Sequence, residues 1–249
     1  MQRFISQLVI SMLLSAILPI NVYAQIAATD SISQKTPVQN LEAYFNKAIK
    51  EQSRLFNGPF YQFYIPQITG SAYFKDSQEF TKGTVVYDGF LYEEVPLLYD
   101  LYRDVVVSKL YDENSKFSLV SEKVAEFEID KHRFIYISEN SEANRTMLRT
   151  GFYDLLYDGG VKIFCKRGKI MQEINEAPYV RKFFVSKNSY FLEKHKVIYQ
   201  FGKEASFLNL FKNEKADMKK YLKKNNIKFK ENPEQAMVLL AKYYDSLPN

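Results

Sequence analysis

Glu126 and Glu128 stand two positions apart in "VAEFEID", the spacing at which a β-strand places two side chains on one face. Two carboxyls about 5–10 Å apart are what glycoside hydrolysis requires, and Glu93-Glu94 adds a second carboxylate pair beside a turn at Asp88-Gly89. The same alternation also describes the wet face of a half-buried strand, with Ala125, Phe127 and Ile129 opposite, and that reading is adopted. Other chemistries lack raw material. The two histidines, His132 in "DKHRF" and His195 in "EKHKV", lie in polar turn-like stretches with no partner at zinc-ligand spacing. There is no nucleophile elbow and no Gly-rich phosphate loop. Cys165 is the only cysteine, so an intramolecular disulfide is impossible. In "GGVKIFCKRGK" it shares strand parity with Val161 and Ile163, and reads as a small buried hydrophobe instead of a nucleophile. No catalytic, metal or cofactor site is assigned, and no cofactor is expected.

Aromatic residues are abundant, 19 Tyr and 20 Phe, with no Trp. In "TVVYDGFLYEEV", pairing through Asp88-Gly89 sets Tyr87 opposite Phe90 and Val85 opposite Tyr92, with Val86 and Leu91 on the other face. The Tyr87, Phe90 and Tyr92 face is the one candidate ligand-contact surface. Cross-strand or core packing within a sheet is the preferred reading of the same residues.

The elements that hold these side chains follow from periodicity. Alternation and turn residues predict strands at 60–64, 83–87, 90–95, 97–102, 105–110, 116–120, 123–129, 133–137, 151–157, 161–167, 181–185, 189–194 and 197–201. Residues 138–150 and 170–180 read as loops. Tyr-Asp-Gly recurs at Tyr87-Asp88-Gly89 and Tyr157-Asp158-Gly159, suggesting two hairpins of the same kind. Helical spacing marks 41–55 and 206–225, and Asn232-Pro233 starts a final helix. The expected class is α+β: a predominantly antiparallel β-meander, a curved sheet or partly closed barrel, with an N-terminal helix and a C-terminal helical hairpin.

The first 24 residues have the three parts of a signal peptide: Arg3, an apolar run over 8–18, and Val22-Tyr23-Ala24 before a cut that leaves Gln25. The alternative, an uncleaved anchor, is disfavoured because the run falls short of the ~20 residues that span a bilayer. The organisation expected is therefore a signal peptide over 1–24 and a flexible leader over 25–39. The helix and antiparallel β domain follow over 40–203, and the helical hairpin packs on it over 204–249. The net charge of +5 is segregated: residues 25–161 carry 14 Lys+Arg against 20 Asp+Glu, and residues 162–230 carry 18 against 6. Such a basic half could favour anionic partners, but the lysines are spread along the segment, and solvated helix and strand faces are the preferred reading.

The stretches "KGTVVYDGFLYEEVPLLYDLYRD", "FYDLLYDGGVKIFCKR" and "SFLNLFKN…MKKYLKKNNIKFK…LLAKYYDSL" resemble a group of uncharacterised exported β-rich proteins of Gram-negative bacteria. The resemblance brings no activity and no site residues. The expectation is an exported, periplasmic or outer-membrane-associated protein, non-enzymatic, acting as a binding or accessory module of the cell envelope. Its partner is an envelope protein or an anionic surface, lipid headgroup or polysaccharide. Nucleic acid is not expected, nor a transmembrane segment after signal cleavage. The alternative is a carboxylate-dependent hydrolase of glycans or cell-wall polymer working through Glu126, Glu128 or Glu93.

Overall fold

A computed structural model of the chain describes residues 54–110, 112, 114–139, 147–176 and 178–247. The signal peptide, the leader and the helix expected over 41–55 lie outside the described residues, apart from a single 3-10 turn at Arg54–Phe56.

Twelve strands run in chain order: β1 (Thr81–Tyr87), β2 (Phe90–Asp100), β3 (Val105–Lys109), β4 (Lys116–Ser118), β5 (Val124–Ile129), β6 (His132–Ile137), β7 (Gly151–Asp158), β8 (Lys162–Lys166), β9 (Lys169–Glu176), β10 (Tyr179–Ser186), β11 (Ser189–Lys194) and β12 (Val197–Phe201). Three helices close the chain: α1 (Glu204–Asn209), α2 (Lys215–Lys224) and α3 (Pro233–Asp245).

Three two-residue turns set much of the register. Asp88-Gly89, Asp130-Lys131 and His195-Lys196 each have two consecutive positive φ angles, the geometry whose twist matches that of paired strands. Ten strands form one open antiparallel sheet in the order β12-β11-β8-β7-β6-β5-β1-β2-β3-β4, and β9 and β10 pair separately. The sheet does not close, so the barrel alternative falls away.

The pairings align one row of side chains across eight strands: Tyr92, Val85, Phe127, Phe134, Asp154, Cys165, Tyr190 and Phe201. Directly opposed residues share a face, so this row is the spine of the main core. Around Tyr99, Phe127, Phe134 and Phe152 it becomes a lattice of edge-on and stacked rings 4.8–5.9 Å apart. Farther along, Ile163, Leu192 and Phe201 meet the buried sides of the helices: Phe207 and Leu208 of α1, Met218 and Leu222 of α2, Ala236 and Leu240 of α3.

Several expectations are corrected. The runs 90–95 and 97–102 form one strand, β2, because a bulge at Glu93-Glu94 opposite Thr84 absorbs the irregularity, with Glu94 at φ 56°. Pro96 lies two residues beyond the bulge, in register with Lys82. Residues 60–64 form no strand; Phe60 makes a single bridge to Phe117. Residues 170–180, read as a loop, hold nearly all of β9 and the start of β10, whose later part matches the strand expected over 181–185. The two pair over eight residues each, and β9 mixes apolar and polar residues on both faces, which hides its period. The Tyr157-Asp158-Gly159 turn does not repeat the first: Asp158 pairs with Lys162 across three loop residues. Its glycines leave room for Asp245, whose carboxylate accepts from Tyr157 Oη and from Gly160 N–H, each at 2.7 Å. The helix expected over 206–225 breaks between α1 and α2, where Asn209 and Asn213 favour turns over helix interiors.

The hydroxyls of the opening hairpin differ in one respect. Tyr87 donates to Asn57 Oδ1 at 2.6 Å, whereas the buried Tyr92 hydroxyl has no partner. A buried unsatisfied polar group is costly. Tyr92→Phe should therefore stabilise the fold by about 1 kcal/mol, and Tyr87→Phe should destabilise it by about 1 kcal/mol. Urea unfolding of the two variants checks the opposite signs.

Candidate functional site

Asp154 is the one carboxylate in the apolar row, and it is 1% exposed. A charge so placed must be paired. His132 Nδ1 lies 2.8 Å from its Oδ2, and Arg167 Nε donates to the same oxygen at 2.6 Å. Arg167 then reaches across to α3, where its two terminal nitrogens bond the two oxygens of Glu234 at 3.0 and 2.8 Å. Tyr190 Oη also donates to Glu234, at 2.9 Å. Burial works against the guanidinium charge, but the bond to Glu234 and the nearby Asp154 carboxylate outweigh it and hold Arg167 above its ordinary pKa. His132 opens β6 instead of lying in a turn, with its ring edge-on to Phe74 at 5.1 Å. His195 does occupy a turn.

This network fixes the start of α3. Asn232 caps the helix by accepting from Gln235 N–H at 3.1 Å, Pro233 takes its first position, and Glu234 is the residue clamped by Arg167. The chain leading into that clamp, Asn225–Asn232, forms one wall of a cleft of about 550 Å³. Leu208 of α1 and Phe229 supply an apolar floor, and Lys203, Lys219 and Lys230 stand around it. A second depression of about 480 Å³ continues past Phe229 and Lys230 toward Leu222 and Lys223.

The lysines are notable for what they lack. Between 203 and 230 the chain has nine lysines against three acids. Three are engaged: Lys215 with Asn209, Lys220 with Asp217 and Lys228 with Glu231. Among the described residues, Lys203, Lys212, Lys219, Lys223, Lys224 and Lys230 have neither an ion pair nor a side-chain hydrogen bond, and all six are exposed.

The residues singled out from sequence fall elsewhere. The expected pairings Tyr87–Phe90 and Val85–Tyr92 are present, but that face is turned into the core: Tyr87 and Tyr92 are buried, and Phe90 is half-buried beneath the Arg54 guanidinium at 5.0 Å. Tyr87 and Tyr92 thus serve in core packing, and Phe90 keeps partial exposure. Glu126 is tied to Arg133 through Nε and Nη2, at 3.0 and 2.6 Å. Glu128 and Glu93 face solvent. Glu128 does line a small depression of about 300 Å³ with Glu94 and Asp130, yet Lys82 holds Glu94 at 3.0 Å and Lys75 holds Asp130 at 3.3 Å. Such an open site lacks the burial a glycosidase uses to hold its general acid. Cys165 is buried on its apolar face, and burial pushes its thiol up to about 12.

Sequence reading missed two buried carboxylates, Asp154 and Asp100. Asp100 accepts from Tyr61 and Tyr64 hydroxyls at 2.7 and 2.8 Å and from the N–H groups of Tyr102 and Arg103. The available signal was an aspartate in register with apolar residues, as in "FYDLLYD" and "PLLYD".

Among the described residues no group of three or more His, Cys, Asp and Glu converges to hold a metal ion, and no helix is long and apolar enough to cross a membrane. Comparison of the chain with protein-family models, curated proteins and solved structures returns no match.

Removing one partner of a buried ion pair strands the other. Asp154→Asn should cost about 3–5 kcal/mol, measured by urea unfolding at neutral pH. The thiol gives a pH dependence of definite sign. Cys165 stays neutral in the folded chain up to about 12 but ionises near 9 when unfolded. Its contribution is fully present below pH 9 and is lost between pH 9 and 12. Cys165→Ala should show a shallower fall in stability over that window.

Proposed function

We propose that this protein is an exported, non-enzymatic module of the cell envelope that attaches to an anionic surface through the lysine-bearing face of α1, α2 and the segment leading to α3. The observation that carries this reading is the set of six exposed lysines without counter-ions, on elements whose opposite sides are packed into the core. Surface lysines ordinarily relax toward nearby acids, and this face has few to offer. Near an anionic membrane each such charge contributes roughly 1 kcal/mol and is screened by salt. The amino-terminal residues, with the three parts of an export signal, supply the route to the envelope. The catalytic alternative has no enclosed carboxylate pair to support it among Glu93, Glu126 and Glu128.

Cell fractionation and vesicle sedimentation test the proposal. The exported chain should begin at Gln25 and leave the membrane fraction on a high-salt wash. Purified protein should sediment with phosphatidylglycerol-containing vesicles at low salt. Reversing Lys212 and Lys224 to Glu should weaken that association at least tenfold. Equal binding to purely zwitterionic vesicles, or binding indifferent to salt, would overturn the reading.

A further inference from the structure

The free lysines are not spread evenly over a solvated surface. Lys203 precedes α1, Lys219 sits on α2, and Lys230 lies in the segment between α2 and α3, yet all three line the same cleft. Glu204 is the one acidic side chain lining it, and it forms no ion pair with them. Three elements thus bring like charges to one place, an arrangement that is unfavourable unless an anion completes it. The floor is of the opposite character. Leu208 and Phe229 are 1% and 6% exposed, with Ala205 and Pro233 at its sides.

Cationic rim and apolar floor together select among anions. A free anion, or an anionic sugar, uses the rim and leaves the floor unoccupied. A nucleobase needs an open aromatic face for stacking, and the Phe229 ring is buried, 6.1 Å from Phe207. An amphiphile satisfies both parts, its anionic head among the ammonium groups and the first part of its chain along the accessible Ala205 and Pro233, above the buried Leu208 and Phe229. The volume of about 550 Å³ falls within the range of small-molecule sites.

We infer that this cleft binds a single anionic phospholipid, seating its phosphate between Lys203, Lys219 and Lys230 and its proximal acyl segment along Ala205 and Pro233, over the Leu208 and Phe229 floor. The inference rests on the anionic-surface reading above and narrows it from a face to a site. The clamp of Arg167 on Glu234 gives the cleft its fixed wall, since it anchors the helix that follows Lys230.

The test uses the mature chain and lysophosphatidylglycerol below its micelle-forming concentration, followed by titration calorimetry. Lysophosphatidylcholine and inorganic phosphate serve as comparison probes. Ala205→Trp fills the cleft without changing charge, at an exposed position where the fold tolerates it. Lys219→Glu with Lys230→Glu reverses the rim. Each variant should lower affinity for lysophosphatidylglycerol at least tenfold, and both comparison probes should bind at least tenfold more weakly than it does. Lys212→Glu with Lys224→Glu, outside the cleft, should weaken vesicle association and leave monomer binding within twofold. Undiminished binding by Ala205→Trp, with an unchanged circular dichroism melt, would overturn the site. Phosphate binding as tightly as the lysolipid would do the same, leaving an anion site only. Vesicle association that persists while the cleft variants change nothing defeats the site alone. Absence of vesicle association defeats the surface reading itself.

Discussion

The Arg167 guanidinium, held between Asp154 on the sheet and Glu234 on the last helix, is the contact on which the arrangement of the C-terminal half depends. Asp154 lies in a row that is otherwise apolar or aromatic, and a lone carboxylate there would be expelled or neutralised. Arg167 compensates it and, with its remaining donors, holds Glu234 in a two-pronged bond that a lysine could not reproduce. A charge that would otherwise weaken the core is thereby used to set the position of a helix. Buried ion pairs of this kind add little net stability relative to apolar packing. Their effect here is positional.

At the other end of α3 a second carboxylate works in the same way. Asp245 lies against the β7–β8 turn, bonded to Tyr157 and to the N–H of Gly160, so the helix is tied to the sheet at both ends. Between the ties its apolar side, Ala236, Met237, Leu240 and Ala241, is buried. With α3 fixed, α2 follows through the stacked rings of Tyr221 and Tyr243, 4.4 Å apart. The lysines of α2 are left on the outward side. The lysine face is therefore a consequence of which sides of the helices the core claims, and the cleft lies where α1, α2 and the approach to α3 leave a gap.

Much of the sheet was legible from residues alone. Alternation located eleven of the twelve strands, and Asp88-Gly89 set the register of the first hairpin down to the pairs Tyr87–Phe90 and Val85–Tyr92. The final helix was legible from Asn232-Pro233, because capping is a local interaction. Strand β9 was not, since each of its faces mixes apolar and polar residues and shows no alternation to read. Nor was the role of Tyr87, Phe90 and Tyr92: alternation shows that they share a face, but not that the face is covered.

What the sequence determined by itself is local: the turn positions, the strand periods, the helix cap, the burial of Cys165 and the segregation of basic charge into one half. Each follows from interactions between residues near one another in the chain. The tertiary structure alone decided that Asp154, Arg167 and Glu234 meet across 80 positions of sequence, that the sheet stays open, and that Lys203, Lys219 and Lys230 gather over Leu208 and Phe229. Those outcomes depend on which strands become neighbours and which helix sides the core takes up. No stretch of the chain carries that information until the whole of it is packed.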